Sequence, residues 1–274
     1  MNSVEQLLNN LYHPDVHVRE AGEKEIRRAG AAAVEPLIAV LKGEYPKPRF
    51  DPPKRTTGIL RPFVTAPDPR EIEIDARRRA ASLLGHLQDS RAADALNAVT
   101  RDTDVEVRSN AALSLGELHD PRAVEPLCAA LQSPDYVIRA EAASRLGELG
   151  DRRAVEPLII VLQKDGRTLP RWRATQALGR LGDSRARPPL QHSLMELLEL
   201  PASEWAPPNR DEMYEETVQV TWTTCGHLLE ALAELGAAET LPSLEEFARR
   251  VPSQTIAEKA RKCAAQIQSR LSHA

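Results

Sequence analysis

Apolar residues in the stretch 105–118 fall at Val107, Ala111, Leu115 and Leu118, in steps of four, four and three. That spacing puts them on one face of a helix. A second face follows at Val124, Leu127, Cys128 and Leu131, at i, i+3, i+4 and i+7. Between the two lies His119-Asp120-Pro121. Asp suits a helix N-cap, and Pro at the first helical position gives up only a donor that has no partner anyway. The pattern predicts helix, tight turn, helix. It then returns: Gly116 as Gly147, Asp120 as Asp151, Pro126 as Pro157 and Arg108 as Arg139, each 31 residues later. In the second copy the turn is Gly150-Asp151, and Gly suits the left-handed conformation that ends a helix.

A fixed period of this size marks a stacked array. One helical pair is too short to bury enough apolar surface, whereas stacked pairs share a continuous core built from nearest-neighbour contacts. Two residue types sharpen the expectation. Gly85, Gly116, Gly147 and Gly179 sit inside first helices, where Gly costs about 1 kcal/mol against Ala; a missing side chain there lets the next helix approach. Pro126 and Pro157 lie a turn into the second helix, which predicts a bent or late-starting helix.

The run Asp120–Leu127 (DPRAVEPL), with Val107–Asp120 before it and the copies of both one period on, resembles the HEAT repeat of the phycobilisome-lyase type. The resemblance covers most of the chain. It implies an all-α fold, a right-handed α-solenoid of the armadillo/HEAT type with about six helix pairs, as a single domain over 1–274. It does not by itself imply an activity, because the class contains bilin lyases, a hydroxylase and many adaptors without chemistry.

Taken in order, residues 2–11 predict a short helix that completes the first layer. Repeat 1 follows with Val16–Ala29 and Ala32–Lys42, its first helix highly charged as an end repeat requires. Residues 43–70 break the rhythm with seven prolines, at 46, 48, 52, 53, 62, 67 and 69. Repeat 2 runs from Glu71 to about Arg101. Repeats 3 and 4 are the pair above, and repeat 5 extends from about Pro170 to Leu198 with its glycine one residue late. A second insertion at 199–216 is acidic. Repeat 6 takes Thr217–Gly236 and Ala238–Arg250. A one-sided helix at about 254–271, striped by Ile256, Ala260, Cys263, Ala264, Ile267 and Leu271, caps the array.

Composition narrows the function. Of 274 residues 42% are hydrophobic but only 4% aromatic, which suits thin helical layers. A net charge of −4 lacks the basic footprint of a nucleic-acid binder, so no nucleic-acid partner is expected. Cys128, Cys225 and Cys263 are odd in number and far apart, and they fit small core residues better than a disulfide framework or a metal spacing. The start MNSVEQLLNN lacks the form of a signal peptide, and aliphatic runs are too short to span a membrane. A cytoplasmic protein without a membrane partner is the expectation.

Candidate chemistry is sparse. No GxSxG, P-loop or strand-borne GxGxxG occurs. None of His13, His17, His86, His119, His192, His227 and His273 belongs to a His-Glu dipeptide. The hydroxylase of this repeat class uses such dipeptides for a di-iron site, so the resemblance does not extend to that activity. No cofactor and no catalytic residue is assigned. Arg91, Arg122, Arg153 and Arg185 follow the turn Asp, and Arg108 and Arg139 open first helices. These arginines either form a ladder for an anionic partner or lock one repeat to the next, and their periodicity favours the lock. Glu35, Asp94, Glu125 and Glu156 recur before the second-helix Pro or Ala, where they form either a solvated face or an acidic stripe on a concave side, ended by Arg187.

The Pro-rich insertion is the best functional candidate, because it interleaves aromatic and basic groups: Tyr45, Arg49, Phe50, Lys54, Arg55, Arg61 and Phe63. The acidic insertion, with Trp205 and Tyr214, is its opposite in charge. Trp172 is either an exposed anchor or packed on Pro170 or the next layer. The leading expectation is a non-enzymatic scaffold that binds another protein through its second helices and the basic loop. The alternative, resting on the resemblance alone, is a bilin lyase or chromophore chaperone with a linear tetrapyrrole as partner.

Overall fold

The computed structural model describes residues 4–48, 68–200 and 216–273, and the side chains of 216–223 are left aside. Every regular element among the described residues is helical. By contacts the chain divides into two units, Met1–Ala130 and Leu131–Ala274. Each holds three helix pairs and one end helix, so six pairs are present.

In the first unit, α1 (Val4–Leu11) packs on the pair α2 (Val16–Ala29) and α3 (Val34–Lys42). The pairs α4 (Pro69–His86) with α5 (Ala92–Val99), and α6 (Val105–Glu117) with α7 (Val124–Ala130), follow. First helices stack on first helices, α2 on α4 and α4 on α6, and α3 lies against α5. The second unit repeats the plan with α8 (Tyr136–Leu149) and α9 (Val155–Lys164), α10 (Thr168–Leu181) and α11 (Arg187–Glu196), then α12 (Glu216–Leu235) and α13 (Leu241–Arg250). There α8 stacks on α10, α10 on α12 and α12 on the end helix α14 (Gln254–Ser272).

Local chemistry explains the joints. Asp120, Asp151 and Asp183 accept from the backbone N–H of Arg122, Arg153 and Arg185, and Asp104 and Asp135 cap α6 and α8 in the same way. Each such cap stabilises its helix by about 1 kcal/mol. A short 3-10 turn follows the second-helix cap, so α7 and α9 begin at Val124 and Val155. Pro126 and Pro157 therefore fall in the first helical turn, where a missing N–H costs nothing. Of the two expected outcomes, the late start is the one observed.

The helix glycines mark close approach. A Cβ on Gly147 would stand 2.7 Å from Ala177 Cα, and one on Gly85 would stand 2.7 Å from Ser114 Cβ. On Gly179 it would meet Ala231 Cβ at 3.1 Å. At these crossings the backbone of one first helix lies directly against the next.

Both ends are closed by one-sided helices. Leu7, Leu8 and Leu11 of α1 are buried, as are Ile256, Ala260, Cys263, Ala264 and Ile267 of α14. Leu271, on the last turn of α14, departs from its predicted place in the stripe and is exposed.

Candidate functional site

The N-terminal ends of the second helices carry a repeated charge arrangement. Arg122 grips its own turn aspartate, donating from Nε and Nη2 to Asp120 at 3.0 and 2.6 Å, and its Nη1 donates to Asp94 of the preceding pair at 2.9 Å. In the second unit Arg185 does the same with Asp183, at 3.0 and 2.9 Å, and with Glu156 at 3.3 Å. Arg91 holds Asp89, reaches the Ala31 carbonyl at 3.1 Å and lies 3.6 Å from Glu35. Arg187 closes the series by donating to Glu239 at 2.8 Å. Arginine ladder and acidic row are thus one structure, and each unit carries a chain of alternating charges.

The two kinds of pair differ in strength. The turn aspartates are shielded, Asp120 being 13% and Asp183 11% exposed. The outer carboxylates stand in solvent, with Asp94 at 91%, Glu156 at 62% and Glu239 at 84%. Exposed pairs of this kind are worth about 0–1 kcal/mol. The hydrogen bond from Arg122 holds the Asp120 carboxyl below its ordinary range, and Arg185 lowers Asp183 to about 2. The arginines are therefore braced from behind and only loosely paired in front.

The arginines that open first helices act inside the array. Arg108 donates to the carbonyls of Asp102 and Thr103 at 2.6 and 2.9 Å, and Arg19 does likewise to His13 and Pro14. Arg139 holds the Ser133 carbonyl and also both oxygens of Asp165, at 2.6 and 2.9 Å. A shallow depression of about 300 Å³ lies over that pair, between Leu131 and Gly166. The run Arg77-Arg78-Arg79 is consumed by packing. Arg77 binds Asp102 and the Leu41 carbonyl, Arg78 binds Asp75 and Glu106, and Arg79 binds Asp75 and Glu23. Arg19 Nε also lies 3.0 Å from Asp75, in ion-pair contact though outside hydrogen-bond geometry. Asp75, not singled out in the sequence, is the anionic hub that joins α2 to α4.

Of the residues singled out in the insertions, Arg49, Phe50, Lys54, Arg55, Arg61, Phe63 and Trp205 lie outside the described residues. Tyr45 does not stand free. Its ring stacks on Tyr12 with centroids 6.1 Å apart, and its hydroxyl contacts the Glu5 carbonyl and Asn9 Oδ1 at 3.1 and 3.2 Å. Burial pushes the Tyr45 hydroxyl above its ordinary pKa and lifts Tyr12 to about 12. Nearby, Lys47 pairs with Glu73 of α4. The start of the Pro-rich insertion is therefore tied to α1 and α4.

Trp172 packs on the next layer. Its ring meets His227 of α12 at 5.2 Å, Arg173 lies 4.5 Å over it, and its indole N–H is buried without a hydrogen-bond partner. Asp94, Glu156 and Arg187 belong to the charge ladders, while Glu125 lies on the exposed side of α7. Two further residues, Glu239 and Thr240, join Arg187. The available signal was that Thr240 stands where the other second helices are preceded by Ala33, Ala123, Ala154 and Ala186.

Cys225 and Cys263 are buried thiols, and burial pushes Cys225 up to about 12. Among the described residues no group of three His, Cys, Asp or Glu side chains is gathered as a metal site, and no helix is long and apolar enough to cross a membrane.

Comparison with known proteins places these features. A family model described as HEAT repeats matches residues 70–146 and 124–196. No curated protein matches the chain. Among solved structures, the chain is 14% identical to importin beta at a TM-score of 0.60, over 96% of this chain and 35% of that one. At that identity the likeness shows the fold alone. The complex of CpcE and CpcF of phycocyanin lyase from Nostoc sp. PCC7120 is 26% identical over 65% of each chain, at a TM-score of 0.47. Human deoxyhypusine hydroxylase is 17% identical over 97% of this chain and 96% of that one, at 0.39. The chain thus spans about two thirds of the lyase chain and about one third of importin beta. With helix pairs following one another at a 31-residue period and the family model matching 70–196, that stretch of the chain is built of HEAT repeats.

Proposed function

We propose that this protein is a non-enzymatic scaffold that binds another polypeptide through the charge ladders of its second helices. The observation that carries the reading is the asymmetry of those ladders. Arg122 and Arg185 are fixed by shielded turn aspartates, yet their outer partners Asp94 and Glu156 stand largely in solvent. A partner can replace an outer carboxylate at little cost, because such pairs contribute about 0–1 kcal/mol. The arginine it meets is already oriented, so little side-chain entropy is lost on binding. Alternating signs also favour a partner of complementary pattern and reject others, which serves specificity and encounter rate more than raw affinity. The Pro-rich basic insertion supplies further contacts on this reading.

The test is affinity capture on the immobilised full chain, followed by a binding measurement with the partner recovered. Reversing charge at Arg122→Glu and Arg185→Glu is expected to lose that partner at unchanged helical content. Deleting residues 46–68 is expected to weaken it further. Equal binding by the charge-reversed chain would overturn the reading. So would a visible absorbance change on adding a linear tetrapyrrole, which would point to chromophore handling instead.

A further inference from the structure

Repeat 5 breaks the pattern of its neighbours at one position, and repeat 6 at the position just before it. Val34, Val124 and Val155 open their second helices and are buried; in α11 that place is taken by Arg187. Ala33, Ala123, Ala154 and Ala186 precede those helices and are fully buried; before α13 that place is taken by Thr240. Both replacements put a polar side chain where the array otherwise packs hydrocarbon. Thr240 is 0% exposed, and its hydroxyl has no hydrogen-bond partner. Arg187 Nε is likewise buried and unpartnered. A buried polar group left unmade costs about 1–3 kcal/mol, so two side by side call for an occupant.

The space for one is present. A depression of about 290 Å³ is lined by Arg187, Thr240, Gln191, Arg185, Pro188 and Glu239. Its charge selects the ligand. The Nε edge of Arg185 is taken by Asp183, whereas Arg187 has no turn aspartate behind it and its Nε is unpartnered, so Arg187 is the cation with an open edge. Glu239 accepts one hydrogen bond from Arg187 Nη1 and is otherwise in solvent. An incoming planar carboxylate that accepts from Nε and Nη2 together makes two parallel bonds on the edge that Glu239, held by a single bond on Nη1, leaves open. Asp183, Glu156 and Glu239 already outnumber the two guanidiniums, so a carboxylate fits by taking the place of Glu239 charge for charge, whereas a dianion such as phosphate adds a further negative charge.

We propose that this depression is a carboxylate-binding site in which Arg187 holds the anion along one edge of its guanidinium. The Thr240 hydroxyl donates to it, and like-charge repulsion turns the exposed Glu239 away from Nη1 into solvent. The carboxylate comes either from a polypeptide terminus or from a small organic acid. The polypeptide source rests on the scaffold reading above, whereas the site itself does not.

The experiment uses the full chain labelled with nitrogen-15 and follows the Arg187 Nε–H resonance. The probes are N-acetylalanine, N-acetylalanine amide, propionate and inorganic phosphate. Saturable shifts with N-acetylalanine, and none with its amide, are expected. Arg187→Val and Thr240→Ala each restore what the other repeats carry at that place, and both are expected to fold. Arg187→Val, read from the remaining shifts around α11 and α13, should weaken binding by at least about tenfold, and Thr240→Ala by about fivefold. Propionate binding as tightly as N-acetylalanine would assign the site to a small acid, and N-acetylalanine binding more tightly would assign it to a peptide terminus. No shift with either carboxylate, or tighter binding of phosphate, would overturn the proposal. Loss of the site with capture of a partner still sensitive to Arg122→Glu, which lies outside the depression, would remove this inference and leave the scaffold reading intact.

Discussion

Arg139 and Asp165 form a two-pronged ion pair across 26 residues of sequence, with Nε and Nη2 donating to the two carboxylate oxygens at 2.6 and 2.9 Å. The pair joins the start of α8 to the residue that ends α9, and both side chains are nearly buried. It shows how this array uses arginine, as a brace between elements within a layer as well as a group shown to solvent.

Breaking that brace should be costly. Arg139→Ala leaves a shielded carboxylate without its cation, and a loss of about 2 kcal/mol follows for a charge-assisted pair of this geometry. For a chain of this length that is a fall of roughly 4–8 °C in Tm, read by circular dichroism. The pair also predicts pH dependence. The Arg139 hydrogen bond holds Asp165 below the ordinary carboxylate range, and Arg122 and Arg185 do the same for Asp120 and Asp183. A carboxylate with a depressed folded pKa contributes stability that is present above its unfolded value of about 4 and is lost as pH falls through the folded value. Thermal melts should therefore be flat above about pH 5 and fall between about pH 4 and 2. Arg139→Ala should show a shallower fall. An equally steep fall in that variant would remove Asp165 from the account.

A helix glycine and a turn glycine should behave differently, Gly147 lying inside α8 and Gly166 between α9 and α10. At Gly147 an added Cβ meets Ala177 Cα and Cβ at 2.7 and 2.8 Å, and backbone cannot step aside cheaply. Gly147→Ala should therefore destabilise by about 1–3 kcal/mol despite the better helix propensity of Ala. Gly166 has nothing within 4 Å of such an atom and carries no left-handed backbone. Gly166→Ala should be neutral or stabilise by about 0.5 kcal/mol through the unfolded chain. Urea denaturation of the two variants side by side checks both signs.

One turn position carries avoidable strain. His119 has φ +54°, at the place where Gly150 of the next repeat has φ +72°. An L side chain in that region costs about 1 kcal/mol. His119→Gly should raise stability by about 0.5 kcal/mol, and Gly150→Ala should lower it by about 1 kcal/mol. Opposite shifts in the urea midpoint, with the slope unchanged, are the expected result.

The thiols should be inert in the folded state. Burial raises the pKa of both Cys225 and Cys263, and the thiolate is the form that reacts. Iodoacetamide at pH 8 should leave both unmodified in native protein and label both in denaturant. Mass mapping of labelled peptides reads this directly, and rapid native labelling of Cys225 would show that α12 opens.

What the chain alone determined is what repeats and what is local. The 31-residue beat, the Asp at the turns of repeats 2 to 5 and the glycine inside each first helix can all be read from neighbouring letters, because helix periodicity and capping act within a few residues; the prolines left a bent or a late-starting second helix open. The fold class followed from these. The tertiary structure alone decided where long side chains end. Arg77, Arg78 and Arg79 read as a basic run, yet each finds a different carboxylate on another element. Glu35, Asp94 and Glu156 read as an acidic row, yet each lies within ion-pair distance of an arginine of the next repeat. Arg187 and Thr240 lie 53 residues apart and meet in one depression. An arginine reaches several ångströms from its own helix, so its partner is set by how layers stack, and no local pattern encodes that distance.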